Sequence, residues 1–320
     1  MDFYFYEPTV VPTDGFDASS DAKALRKAMK GIGTDEDAII SILSQRAFFQ
    51  RQEIIQVYKS DFGRDLIKDL KDELGGKFEK LILALMETPY SYLATELHRA
   101  MKGIGTNEDV LTEILCTRSN QDIHGIITAY QEKFGQSLED AIGNEVSGHY
   151  KRLLVMLLNG ARNETAGVDM DAAVASAQLL FDAGEGSFGT DEEVFTSLLS
   201  HHSFPQLQVI FDEYRKISGK TIEQAVKAEL SGDIETAILT IVKCANNRNR
   251  YYAVKLEEAM KGTGTDEETL MRIIVSRCEI DLGGIKREYQ DFYGKTLYDS
   301  VKKETSGDFK NALLALIGDA

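Results

Sequence analysis

Four short segments carry the residues best suited to chemistry. They read Met29-Lys30-Gly31-Ile32-Gly33-Thr34-Asp35-Glu36, Met101-Lys102-Gly103-Ile104-Gly105-Thr106-Asn107-Glu108, a divergent Gly184-Glu185-Gly186-Ser187-Phe188-Gly189-Thr190-Asp191-Glu192, and Met260-Lys261-Gly262-Thr263-Gly264-Thr265-Asp266-Glu267. Thirty-nine residues beyond each threonine stands a glutamate: Glu73, Glu145, Glu229 and Glu304. Two glycines around one residue let the chain turn sharply at a helix end, so the last helical carbonyls lose their intrahelical partners. Those oxygens carry the negative end of the helix dipole. A hard cation such as Ca²⁺ takes six to eight oxygen ligands, backbone carbonyls and carboxylates among them. In the first segment the carbonyls of Met29, Gly31 and Gly33 with the carboxylate of Glu73 supply most of such a shell. One carboxylate is few for Ca²⁺, so the expected affinity is weak, on the order of 10⁻⁴ to 10⁻³ M.

Such loops must be positioned by helices. With each threonine as origin, a glycine recurs at Gly63, Gly135, Gly219 and Gly294, and another at Gly76, Gly148, Gly232 and Gly307. Four modules in one register follow. Thr34 with Asp37 reads as a helix N-cap followed by an acid in the first turn. Ile39, Ile42 and Leu43 then form an apolar stripe at helical spacing. Gly63 follows an amphipathic stretch and reads as a left-handed helix C-terminal residue. Each module is therefore expected to hold about five helices. The expected organisation is a tail over 1–16, repeats over 17–88, 89–159, 172–245 and 246–320, and a solvated polar linker over 160–171. That linker should divide the molecule into a first and a second pair of modules.

Composition agrees with an all-α fold. The 320 residues contain only 4 prolines and no tryptophan, and 43% are hydrophobic. The longest apolar runs, 81–86 and 153–158, are far shorter than the ~20 residues of a membrane span. The first residues lack the basic and apolar regions of a signal peptide, so a cytoplasmic location is expected. The net charge of −16 argues against nucleic acid and would repel anionic lipid unless a cation intervenes. Cys116, Cys244 and Cys278 stand among apolar residues at no metal-ligand spacing and read as buried hydrophobes.

The repeated Lys-Gly-x-Gly-Thr with its distant acid resembles the annexin family, over essentially the whole chain from about Phe16. The resemblance implies four five-helix modules arranged as a curved disc whose convex face carries calcium loops and binds acidic phospholipid. Carried over by position, the ligands become Met29, Gly31, Gly33 and Glu73; Met101, Gly103, Gly105 and Glu145; Gly184, Ser187, Gly189 and Glu229; and Met260, Gly262, Gly264 and Glu304. The third loop departs from the common pattern. His202 also replaces the arginine found at Arg46, Arg118 and Arg277, which puts that arginine's role in the third module in doubt. The loop tips Ile32, Ile104 and Phe188 become candidate membrane contacts, with Thr263 the polar exception. The protein would be peripheral on membranes when calcium rises, with self-association on the bilayer a further expectation.

Competing chemistries are weaker. No Asp-x-Asp-x-Asp-Gly loop of an EF-hand occurs. Gly219-Lys220-Thr221 and Gly294-Lys295-Thr296 lack the first P-loop glycine, which would fall at Tyr214 and Tyr289. Adjacent His201 and His202 point apart on a helix and have no completing ligands. No enzyme is expected. The rival reading is a calcium-independent helical scaffold for protein partners. The aromatic tail from Asp2 to Pro8 is either a docking peptide for a partner or a segment packed across its own modules, anchored by Phe16. Glu96, Arg118, Arg272 and Asp281, where the resemblance would place a polar channel, read as a structural ion-pair network.

Overall fold

The computed structural model describes residues 6–31, 33–185, 190–262 and 264–319. Every regular element among them is helical. The first repeat comprises α1 (Ala18–Ala28), α2 (Glu36–Leu43), α3 (Phe48–Phe62), α4 (Leu66–Glu73) and α5 (Gly76–Met86). The second comprises α6 (Pro89–Met101), α7 (Glu108–Cys116), α8 (Asn120–Phe134), α9 (Leu138–Glu145) and α10 (Gly148–Leu158). The third holds α11 (Met170–Ala183), α12 (Glu192–His201), α13 (Phe204–Ser218), α14 (Ile222–Glu229) and the first half of α15 (Asp233–Met260). Non-helical Asn247 kinks α15, and its carboxamide oxygen accepts the Arg250 N–H, so a new helix starts there. The fourth repeat is the second half of α15 with α16 (Glu267–Arg277), α17 (Leu282–Tyr293), α18 (Leu297–Glu304) and α19 (Gly307–Ile317).

The register read from the sequence governs the core. Tyr58, Tyr130, Tyr214 and Tyr289 occupy one position of the repeat and are all buried. Each lies on the helix that ends at Gly63, Gly135, Gly219 or Gly294, and those four caps adopt φ of +64°, +66°, +73° and +67°. Left-handed backbone of this kind strains any side chain, which is why glycine stands there. The three cysteines are buried and unpaired, and burial pushes the Cys278 thiol up to about 12, as suits inert core residues. Among the described residues no helix is long and apolar enough to cross a membrane.

The pairing of repeats departs from the expected one. One compact unit joins Met1–Tyr92 with Tyr252–Ala320, and the other is Leu93–Tyr251. Repeats one and four share the first unit, where α19 packs on α2 and α5, and α16 on α5. Lys77 and Lys80 on α5 pair with Glu267 and Glu268 on α16. Repeats two and three share the second unit through α10 and α12, joined by Arg152–Glu193. Linker length therefore does not decide which apolar faces meet.

Nor is the linker simply solvated. Arg162 within it is 6% exposed, with its guanidinium 4.6 Å from the Phe204 ring centroid. Its Nη1 donates to the carbonyls of Leu199 (2.7 Å) and His202 (2.8 Å). In the first repeat Arg51 donates from α3 to the carbonyls of Leu43 and Arg46, which hold the matching positions. Ile123, Leu207 and Leu282 all stand where Arg51 does, and in the third repeat a linker guanidinium makes the carbonyl contacts that α3 makes in the first. Burial pulls Arg162 down to about 10, and it stays charged at neutral pH. The loss of arginine at His202 is compensated separately: Arg46 pairs with Asp21 at 2.6 Å, whereas His202 Nε2 lies 3.5 Å from the Ser176 hydroxyl.

Residues 1–5 of the tail lie outside the described residues; from Glu7 onward it packs on its own unit. The Glu7 N–H donates to the Ile280 carbonyl and Gly283 N–H to the Glu7 carbonyl, both at 2.8 Å, while Val10 is buried. A Cβ at Gly283 would sit 2.8 Å from the Glu7 carbonyl oxygen, so glycine is required for this approach. Phe16 is only half-buried, 6.0 Å beneath the Arg46 guanidinium, so Val10 rather than Phe16 is the deeper anchor. Among the polar residues expected to form a network, Asp281 is bonded by Arg277 (2.7 Å) and Glu96 by Arg99 (2.7 Å). Replacing Arg162 by Met should keep the bulk but orphan two buried carbonyls, lowering stability by about 2–4 kcal/mol. Urea unfolding followed by circular dichroism checks this, and an unchanged midpoint would refute it.

Candidate metal centre

The loop after α1 is built by glycine conformation. Gly31 and Gly33 have φ of +125° and +83°, Gly103 and Gly105 have +123° and +84°, and Gly262 and Gly264 have +120° and +97°. These six glycines are exposed, and a Cβ on any of them would meet nothing within 4 Å, so backbone conformation rather than crowding selects them. Met29, Met101 and Met260 lie at the preceding helix ends with buried side chains. Their side chains anchor the loop in the core, leaving its backbone outside.

A returning hydrogen bond closes each loop. The N–H of Asp35 donates to Ala28 (2.9 Å), Asn107 to Ala100, Asp191 to Ala183 and Asp266 to Ala259 (each 2.8 Å). The span in the third repeat is one residue longer than in the others, which explains its divergent sequence. Gly184 follows Ala183 as Met29 follows Ala28. Ser187, Phe188 and Gly189 lie outside the described residues, as do Ile32 and Thr263. Glu185 is paired with Lys220.

The structure corrects the reading of the threonine. The N-cap is the next residue: Asp35, Asn107, Asp191 and Asp266 accept N–H groups of the following first turn at 3.0 to 3.3 Å. The threonine is thereby free to face the distant acid. Thr34 donates to Glu73 Oε2 (3.0 Å), Thr106 to Glu145 Oε2 (3.1 Å) and Thr190 to Glu229 Oε2 (2.6 Å). In the fourth repeat Thr265 instead bonds the Glu304 backbone carbonyl (3.1 Å), and the Glu304 carboxylate lies 3.2 Å from Lys303. Sequence reasoning found each glutamate but not the hydroxyl that orients it.

Family comparisons bear on this geometry. The annexin family profile matches residues 20–85, 92–157, 175–241 and 251–316. The chain belongs to the annexin family. This annexin is 50% identical over 315 residues to annexin B10 of Drosophila melanogaster, an alignment covering 98% of each chain. Its structure resembles that of annexin III with a TM-score of 0.97 and 45% identity, covering 100% of this chain and 99% of the other. It also resembles a calcium-bound structure of annexin (Sm)1, with a TM-score of 0.89 and 34% identity over 100% and 95% of the two chains.

The residues present fit a hard cation. No group of three or more His, Cys, Asp or Glu able to hold a metal occurs among the described residues, so any ion at these loops must draw on backbone oxygens. Backbone oxygens beside the positive-φ glycines are the candidate source in repeats one, two and four, and in repeats one, two and three a threonine-oriented carboxylate adds one charge. Removing that orientation should matter unequally. Thr106→Val is expected to raise the calcium concentration that half-saturates the second loop about fivefold, the equivalent of about 1 kcal/mol. Thr265→Val should change the fourth far less, because its hydroxyl does not touch the carboxylate. Calorimetric calcium titration of each variant distinguishes the two, and equal effects would refute the positioning role.

Proposed function

We propose that this annexin binds acidic phospholipid surfaces reversibly, through Ca²⁺ held by its loops. The observation that carries this reading is the Thr106 loop, where an oriented carboxylate and left-handed glycines flank Ile104, an isoleucine fully exposed to solvent. A fully exposed isoleucine between two glycines has no stabilising role in the folded chain. At a lipid surface the same side chain can leave water, a transfer worth about 1.5–3 kcal/mol when complete.

The proposed ligands are the carbonyls of Met29, Gly31 and Gly33 with Glu73, those of Met101, Gly103 and Gly105 with Glu145, and those of Met260, Gly262 and Gly264 with Glu304. Gly184, Ser187, Gly189 and Glu229 complete the set. When bound, Ca²⁺ would supply positive charge and open coordination positions for lipid phosphate oxygens. The chain's own part is to present oxygens without adding much negative charge, to orient the glutamates, and to expose the tip side chain. A protein of net charge −16 is repelled by an acidic bilayer without such a cation, so a chelator should release it. Several weak sites reinforce one another through effective concentration. No catalytic role is assigned, and the protein is read as cytoplasmic and peripheral. Ile32 and Phe188 are proposed as further contacts on sequence grounds. The hydrogen bonds of Glu7, Thr9 and Val10 to their own unit favour internal packing of that part of the tail.

Changing Glu73, Glu145, Glu229 and Glu304 together to Gln should abolish calcium-dependent sedimentation with anionic vesicles while helical content is retained. Undiminished sedimentation would sink the proposal. Ile104→Ser should weaken vesicle binding several-fold at fixed calcium, reflecting about 1 kcal/mol of partial insertion, without altering calcium affinity in solution.

A further inference from the structure

A cleft lies between α10 and α12, within the unit formed by repeats two and three, with Glu139 also in its lining. A cavity of about 670 Å³ opens there, inside the roughly 300 to 1,000 Å³ of small-molecule pockets. Its lining includes none of the loop carbonyl or carboxylate residues assigned above. Val155 and Met156 supply an apolar wall, and Met156 Sδ lies 3.8 Å from the Ser200 hydroxyl on α12. His149 and Arg152 stand in the first turns of α10. Ser147, the N-cap of that 11-residue helix, makes no side-chain bond to its N–H groups.

Thr196 in the lining is 2% exposed, yet its hydroxyl has no hydrogen-bond partner. The repeat register explains the orphan. At the same position of repeat two, the Thr112 hydroxyl lies 2.9 Å from the Tyr150 hydroxyl. The residue matching Tyr150 in repeat three is Ile234, which offers nothing polar. In the other unit the position of Thr196 is taken by Met271, a buried apolar residue. Thr196 is therefore a hydroxyl closed to solvent, in a place where the fold accepts Ile40 or Met271, on a residue that lines the cavity, and a turn about its Cα–Cβ bond is what would bring the hydroxyl to a ligand. A buried polar group without a partner is destabilising, so it is better suited to meeting a ligand than to holding the fold.

We infer that this cleft binds a small amphiphile: an aromatic or short aliphatic body against Val155 and Met156, hydrogen-bonded to Thr196, with an anionic head. The head would be met by the α10 N–H groups, His149 and Arg152. Arg152 is held by Glu193 and His149 Nε2 lies 4.0 Å from Glu192, so the guanidinium and the imidazole are already placed at the rim. A ligand carboxylate or sulfonate would exchange with Glu193 for the guanidinium.

The test uses the full chain without calcium or vesicles, and anilinonaphthalene sulfonate as the probe. One saturable site with enhanced, blue-shifted emission is expected. Thr196→Val should weaken it about fivefold, as loss of one hydrogen bond would, yet raise the thermal midpoint because an orphan hydroxyl is removed. Met156→Trp should fill the cleft and abolish binding, and naphthoate should displace the probe while naphthylmethanol does so poorly. Absence of saturable binding, or binding unchanged in both variants, would overturn the site. A lowered midpoint for Thr196→Val would show that the hydroxyl serves the fold, and equal competition by the neutral alcohol would overturn the anionic head. Because neither calcium nor lipid is present, failure here leaves the membrane proposal standing and cannot be confused with its failure.

Discussion

A hydrogen bond from a threonine hydroxyl to a glutamate carboxylate thirty-nine residues away ties the two distant parts of a loop site together in three repeats. The loop alone is backbone, and α4, α9 or α14 alone ends in a solvated acid. Only their junction gives an oxygen-rich site with one oriented charge. The rest of the repeat serves that junction. An Asp or Asn takes over the N-cap, releasing the threonine, and the N–H of the same residue closes the loop onto the preceding helix. Buried methionines in repeats one, two and four fix where the loop leaves the core.

The same register makes the departures informative. In repeat four the threonine reaches the glutamate backbone and Lys303 competes for the carboxylate, so one repeat keeps the sequence signature without the side-chain geometry. In repeat three the loop gains a residue and the arginine at offset twelve becomes His202. The second change is answered nearby, where Ser176 faces His202, and Arg162 reaches in from the linker to the carbonyls of Leu199 and His202. A linker that looks dispensable by composition thus carries a buried cation whose desolvation is tolerable because two carbonyls and an aromatic face receive it.

Repeats also pair by surface rather than by order. On α5 and α10 the residues just after the left-handed glycines, Lys77, Lys80, His149 and Arg152, face glutamates at the start of α16 and α12. Lys77, Lys80 and Arg152 are cations at a helix N-terminus and oppose its dipole, and the partner carboxylates offset that cost. Each unit therefore joins the last helix of one repeat to the helix that follows the loop of another.

The sequence by itself determined the helical class, the four repeats, the left-handed glycines and the distant glutamates, because all of these follow from local backbone preference and periodic spacing. Gly63 and its counterparts needed only their own φ to be recognised. The tertiary structure alone decided that the threonine orients the glutamate, since a hydroxyl four positions into a motif can cap a helix or reach across one. It decided that repeat one packs with repeat four, because matching apolar faces carry no address in the chain. It also decided that Arg162 is buried and that Thr196 has lost its partner to Ile234. Those facts depend on what stands opposite a side chain in space, and spacing along the chain does not encode that.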